Sequence, residues 1–216
     1  DVITLAHAAG VPVIVDAAAE IPPVEHLRRF IDEGADLVTF SGGKALCGPQ
    51  ASSVILGADP VLVAACAVND GPNMSVGRGM KAGKEEIMGV VKAIELYLSR
   101  DHAADQTLWE DRVSVLLTAV GQIDGVEAWR QMPHGLGQQI PHVAVRWEVA
   151  VVGMSYAEVI EELLQGSPRI AVQFINEAVY RFARDTGPQI RLHPHTLAEG
   201  EENVVAARLA AVLSTP

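Results

Sequence analysis

Short apolar runs alternate with amphipathic stretches along the first hundred residues. Val11-Pro-Val-Ile-Val15 is an unbroken apolar run that ends at Asp16, the pattern of a strand covered on both faces. Val24 to Glu33 carries Leu27, Phe30 and Ile31 at helical spacing and meets Gly34, a helix stop. Asp36 to Phe40 predicts a second strand, and Ser53 to Leu56 a third that ends at Gly57. Strand alternating with helix predicts an α/β layered fold. In open sheets of that kind, ligands bind beyond the carboxyl ends of the strands. Asp16 and the segment Ser41–Lys44 both follow strand ends, so the two are expected to face one crevice.

Residues 1–10 read as the end of a helix closed by Gly10, so further sequence is expected upstream of Asp1. Asn69 to Gly83 is rich in glycine and polar residues and reads as an ordered loop. Lys84 to Ser99 predicts a long helix, with Ile87, Val90, Val91, Ile94 and Leu98 on one apolar stripe and Glu85 and Glu86 in its first turn. Beyond Arg100 the pattern predicts a helix over 105–120 and strands over 126–131, 140–147, 169–173 and 188–193. Further helices are expected over 155–165 and 199–213. The chain is therefore read as part of a larger α/β domain, residues 1–100, and a small α/β domain, residues 101–216, with a boundary near 100–105.

Composition narrows the function. The hydrophobic share of 49% excludes a disordered chain. A formal net charge of -11 with no basic stripe counts against DNA and RNA as partners. Cys47 and Cys66 form neither a disulfide framework nor a metal spacing, which points to a reducing cytoplasm. No apolar run is long enough to span a bilayer, and no basic leader opens the chain, so neither a membrane nor export is expected.

The most informative segment is Asp36-Leu-Val-Thr-Phe-Ser-Gly-Gly-Lys-Ala-Leu-Cys-Gly-Pro-Gln-Ala-Ser52. It sets a lysine after a strand, between glycines that let backbone approach a ligand closely. Lysine lowers its pKa readily on burial and serves as a Schiff-base nucleophile. A phosphate-binding P-loop is excluded, because Val38 stands where its first glycine belongs and Ala45 where its Ser/Thr belongs. A plain surface lysine in a glycine-rich turn remains open. Asp16, 28 residues earlier, adds a carboxylate after the preceding strand. A pyridine nitrogen held by such an acid stays protonated and lets the ring draw electrons. A helix cap or turn acid is the alternative for Asp16. Arg78, Lys81 and Lys84 cluster in an otherwise acidic chain, as a site or as a solvated loop. Arg191 ends a strand beside His193 and His195. A metal there would need a third ligand that the sequence does not supply.

Four blocks in order, Val13-Ile-Val-Asp-Ala-Ala-Ala-Glu20, Gly34-Ala-Asp-Leu-Val-Thr-Phe-Ser-Gly-Gly-Lys44, Gly48-Pro-Gln-Ala51 and Gly77-Arg-Gly-Met-Lys-Ala-Gly-Lys-Glu-Glu-Ile87, resemble the selenium-transferase-like family of pyridoxal-phosphate (PLP) enzymes. The variant with Asp-Ala-Ala-Ala-Glu is most similar to the D-glucosaminate-6-phosphate ammonia-lyase branch. The resemblance covers residues 1–100 and fades beyond. It implies fold type I, the aspartate-aminotransferase-like fold, with the C-terminal part of the large domain followed by the small domain. It implies pyridoxal 5'-phosphate held through a Schiff base by Lys44, with Asp16 on the pyridine nitrogen, Ser41 on the phosphate and Gln50 lining the pocket. Arg78, Lys81 and Arg191 would bind substrate carboxylate or phosphate. The implied reaction is β-elimination at an amino acid or amino-sugar acid that ends, after hydrolysis, in a 2-oxo acid and ammonia (ammonia-lyase type), in a cytoplasmic homodimer or larger homo-oligomer. A selenium-transferase reaction, a racemase and a truncated non-enzymatic relative are the alternatives. The resemblance also implies a phosphate-cradling helix and a ring-stacking residue well before the pyridine-binding acid, and only 15 residues precede Asp16.

Overall fold

A computed structural model describes residues 2–133, 137–176 and 187–214. The chain forms two compact units. The first holds residues up to His102 together with 137–139, and the second holds the remainder from Ala103 onward.

The first unit runs α1 (Val2–Ala8), β1 (Ile14–Asp16), α2 (His26–Asp32), β2 (Leu37–Ser41), β3 (Ser53–Gly57) and α3 (Pro60–Asn69). A 3-10 turn (Arg78–Met80) and α4 (Lys84–Ser99) complete it. Its sheet has the order β1-β2-β3. β1 runs parallel to β2, with Asp16 level with Thr39, and β3 runs antiparallel to β2, with Ser53 opposite Ser41. The core gathers Ala17, Ile21, Phe30, Val38, Phe40 and Tyr97. The Asp36 carboxylate accepts the Val13 N–H at 2.6 Å and faces His7 Nε2 at 2.9 Å, tying β2 to the approach to β1 and to α1. The Val13 hydrogen bond first, and then His7, hold that carboxyl below its ordinary pKa. The segment 137–139 is bound by backbone and side-chain hydrogen bonds to Glu20, Ile21 and Pro22.

Two expectations need correction here. The apolar run 11–15 was expected to form a strand covered on both faces. The strand is Ile14–Asp16, paired to β2 among the described residues, and Val11 and Ile14 are exposed because none of the described elements packs over them. The apolar stripe of α4 is also turned. The helix has the expected bounds, but it buries Val90, Ala93 and Tyr97 and leaves Ile87, Val91 and Leu98 exposed. The reason is close approach. A Cβ on Gly48 would sit 3.1 Å from the Ala93 Cβ, and one on Gly89 would sit 2.6 Å from the Pro49 ring. The small side of α4 is the side that admits the Gly48–Pro49 turn.

The second unit contains nearly all of α5 (His102–Val120), then β4 (Val126–Gln131), β5 (His142–Trp147), α6 (Val149–Val152), α7 (Tyr156–Gln165), β6 (Gln173–Ile175) and β7 (Gln189–Leu192). A 3-10 turn (Pro194–Thr196) and α8 (Glu201–Leu213) follow. Its sheet is antiparallel with the order β4-β5-β7-β6. One face, with Val143, Val145, Ile190 and Leu192, packs in a single core with Leu116, Leu163, Leu209 and Val212 of the helices. The strand expected over 169–173 is instead Gln173–Ile175. Residues before it close the end of α7: the Ile170 N–H donates to the Leu163 carbonyl at 2.9 Å, and Arg169 Nε donates to the Leu164 carbonyl at 3.0 Å. Among the described residues, no helix is long and apolar enough to cross a membrane.

Candidate active site

The loop after β2 is shaped by its glycines. The Gly42 N–H donates to the Ser52 carbonyl at 2.9 Å, and the Gly48 N–H donates to the Gly42 carbonyl at 2.8 Å. A Cβ on Gly42 would collide with Ser52 Oγ, and one on Gly43 would lie 2.7 Å from the Gln50 Cα. Side chains do not fit at either position, so Gly42-Gly43 is a structural demand. Within the loop the Cys47 N–H donates to the Lys44 carbonyl at 2.9 Å, with Cys47 at φ 57°, in the left-handed region. Lys44 is exposed on this turn, three residues past the end of β2.

Asp16 ends β1, the parallel neighbour of β2, and is exposed. Its Oδ1 accepts the Ala18 N–H at 3.1 Å. The fold therefore sets Asp16 and Lys44 after the carboxyl ends of adjacent parallel strands, where open α/β sheets bind ligands. Ser41 is half-buried at the last position of β2. Gln50 braces the loop: its Nε2 donates to the Gly43 carbonyl at 2.9 Å. Beside this bracing, a cleft of about 360 Å³ is lined by Gln50, Ser52, Ser53, Asp70, Met80 and Val90.

Arg78 and Lys81 lie on the loop after α3, both exposed. An isolated bridge between Asp70 and Gly77 closes that loop, and the Arg78 N–H donates to the Ser75 carbonyl at 3.0 Å. Lys84 opens α4. Arg191 belongs to the second unit, on β7, level with Ala144 of β5 and Gln173 of β6. Sequence reasoning missed His142. It lies at the start of β5, and its ring stands 4.7 Å from that of His193. No spacing along the chain signals that pair, because strand pairing alone brings residues 142 and 193 together.

No family profile matches the chain. Over 209 residues it is 33% identical to a 5'-C-glycyluridine monooxygenase-decarboxylase of a Streptomyces species, covering 95% of this chain and 47% of that protein. Over 211 residues it is 31% identical to the D-glucosaminate-6-phosphate ammonia lyase of Salmonella typhimurium, covering 97% of this chain and 51% of that protein. A third relative, the L-seryl-tRNA(Sec) selenium transferase of Solidesulfovibrio magneticus, is 31% identical over 103 residues, 44% of this chain and 20% of that protein. The solved structure of a D-glucosaminate-6-phosphate ammonia-lyase matches 98% of this chain and 51% of its own, with a TM-score of 0.68 and 29% identity. An archaeal O-phosphoseryl-tRNA(Sec) selenium transferase shares the fold at a TM-score of 0.58 and 14% identity, over 98% of this chain and 47% of its own. The chain spans about half the length of the two curated relatives that it matches along almost its whole length.

Proposed function

Because the chain belongs to the selenium-transferase-like family of PLP-dependent enzymes, with their fold type I architecture, we propose that it bears the anchoring lysine of an enzyme acting at Cα of an amino acid or amino-sugar acid. One observation carries the reading. Lys44 follows β2 through two glycines that admit no side chain, and Asp16 ends the neighbouring parallel strand. The donor set fits the cofactor: an amine, a carboxylate suited to a pyridine nitrogen, and the Ser41 hydroxyl suited to a phosphate.

When bound, PLP supplies an electron sink for charge developing at Cα. Lys44 Nζ would be the covalent anchor for the cofactor, and its free amine would serve as general base for the Cα proton. The Asp16 carboxylate keeps a proton on the ring nitrogen by its opposite charge. Ser41 donates to the phosphate, and Gln50 keeps the lysine loop in place from the edge of the pocket. Arg78 and Lys81 of the first unit are assigned to a carboxylate or phosphate of the substrate, which a guanidinium can grip with two hydrogen bonds; Arg191 of the second unit is a separate candidate for a substrate carboxylate. The favoured outcome is loss of a β-hydroxyl, then hydrolysis to a 2-oxo acid and ammonia. The enzyme is read as cytoplasmic, and as a homodimer or larger homo-oligomer. The Streptomyces relative, a monooxygenase-decarboxylase, favours a second reading, oxygen-dependent decarboxylation of the substrate, because its similarity is as extensive.

Borohydride reduction of the complete protein, including any sequence upstream of Asp1, after incubation with PLP and followed by peptide mapping, tests the assignment. A pyridoxyl label on Lys44, lost in Lys44→Ala, is expected. Reduction that leaves Lys44 unlabelled removes the reading and leaves a non-enzymatic relative. With amino-sugar acids as substrates, ammonia release supports the lyase reading, and carbon dioxide release without ammonia supports the second.

A further inference from the structure

In the second unit, the turn that follows β7 is held by an unusual set of groups. The His193 ring stands 4.7 Å from His142 on β5 and 5.8 Å from His195. The His195 ring in turn meets Trp109 of α5 at 6.3 Å. His193 Nε2 donates to Gln173 Oε1 on β6 at 2.9 Å, which leaves Nδ1 without a proton while the ring is neutral. Between the two histidines, the Pro194 carbonyl accepts from Arg112 Nη1 of α5 at 3.0 Å. The same guanidinium faces Glu202 of α8 at 3.6 Å. This one turn therefore ties β5, β6 and β7 to α5 and α8.

We propose that His142, His193 and His195, set against Arg191, form an acid-operated latch: neutral imidazoles lock the turn after β7, and their protonation releases it. The charges around the cluster argue for this. Among the described residues, Arg191 of β7 and the histidines themselves bear on the charge of His142 and His193. On α5, Arg112 is engaged with Glu202 of α8, and Glu110 is held by Arg130 of β4. Among the described residues, no carboxylate acts on the three rings, and no group of three or more His, Cys, Asp or Glu is placed to hold a metal ion. His195 Nδ1 is buried without a hydrogen-bond partner, so a proton added there meets no acceptor.

Burial, above all, pushes all three imidazoles below their ordinary pKa. His193 is pushed down to about 4, with His142, His195 and Arg191 adding repulsion. In the unfolded chain each histidine titrates at about 6.5. Between these values the unfolded chain binds protons that the folded one refuses. Stability is therefore complete above about pH 6.5 and falls as the pH drops toward 4.

The test compares the whole chain with His193→Gln at about pH 7.5 and about pH 5. The wild type is expected to lose roughly 5 °C more of its thermal midpoint than the variant between the two conditions. Equal losses overturn the latch. In ¹³C-histidine NMR of the wild type, His193 is expected to titrate well below the ordinary value, and titration near about 6.5 overturns it. Should His193→Gln fail to fold, His142→Gln replaces it. Removing that neighbouring imidazole is expected to raise the His193 titration point, and an unmoved point overturns the proposal.

Discussion

The two units handle apolar surface in opposite ways. In the second unit, one face of a four-stranded sheet and three long helices close on a single core, with Leu116, Val143, Val159 and Ile190 wholly buried. The first unit has a smaller core around a three-stranded sheet with two edge strands. Among the described residues, fifteen of the nineteen exposed large apolar side chains lie within residues 2–98, so the imbalance belongs to the first unit. Helix α3 shows it best. Its sequence Pro-Val-Leu-Val-Ala-Ala-Cys-Ala-Val-Asn has no charged residue, and none of its residues is buried. Patches of that kind mark surfaces that other polypeptide covers. The lysine loop sits in the unit with the smaller core and is held by backbone hydrogen bonds, by close glycine contacts and by Leu46, which is buried in that core.

The comparison yields predictions of decreasing size. Leu116→Ala, in the closed core, is expected to cost about 2–5 kcal/mol in urea unfolding, whereas Val68→Ser on the bare face of α3 is expected to change stability by less than about 0.5 kcal/mol. A large loss in Val68→Ser would break the contrast and show that α3 is covered in solution. Gly43→Ala, whose Cβ would press on Gln50, is expected to cost about 1–3 kcal/mol and to weaken borohydride labelling of Lys44. Gly79→Ala, which faces open space, is the matched control and should leave both unchanged. Smallest is Ser155→Ala at the start of α7. There Ser155 Oγ accepts the Glu158 N–H at 3.3 Å and the Glu158 carboxylate accepts the Ser155 N–H at 2.8 Å. Losing that capping box is expected to cost about 1 kcal/mol, read as a shift in the denaturation midpoint.

Local patterning made much of the fold legible. Helix α4 and strand β4 have the bounds their sequences predict, because a long amphipathic run with acidic residues in its first turn, and a strand bounded by turns, each carry enough local signal. The four blocks around Asp16, Lys44, Gly48 and Arg78 pointed to the PLP-enzyme family for a similar reason. A lysine between glycines after a strand is a pattern written in adjacent residues. The relatives bear that recognition out.

Other features were decided by tertiary structure alone. Whether Val11 and Ile14 are covered depends on what packs over their side of the sheet, and an apolar run reads the same whether or not that cover is there. Which side of α4 is buried depended on the close approach of Gly48 and Pro49, not on its widest apolar stripe. The strand expected over 169–173 moved because Arg169 and Ile170 are used to close α7. The histidine cluster needed β5 and β7 to pair before His142 could meet His193. Sequence by itself determined most of the elements and the family to which the lysine loop points, since both rest on neighbouring residues. Tertiary structure decided burial, edges and the meeting of distant side chains, since those depend on which surfaces the folded chain brings together.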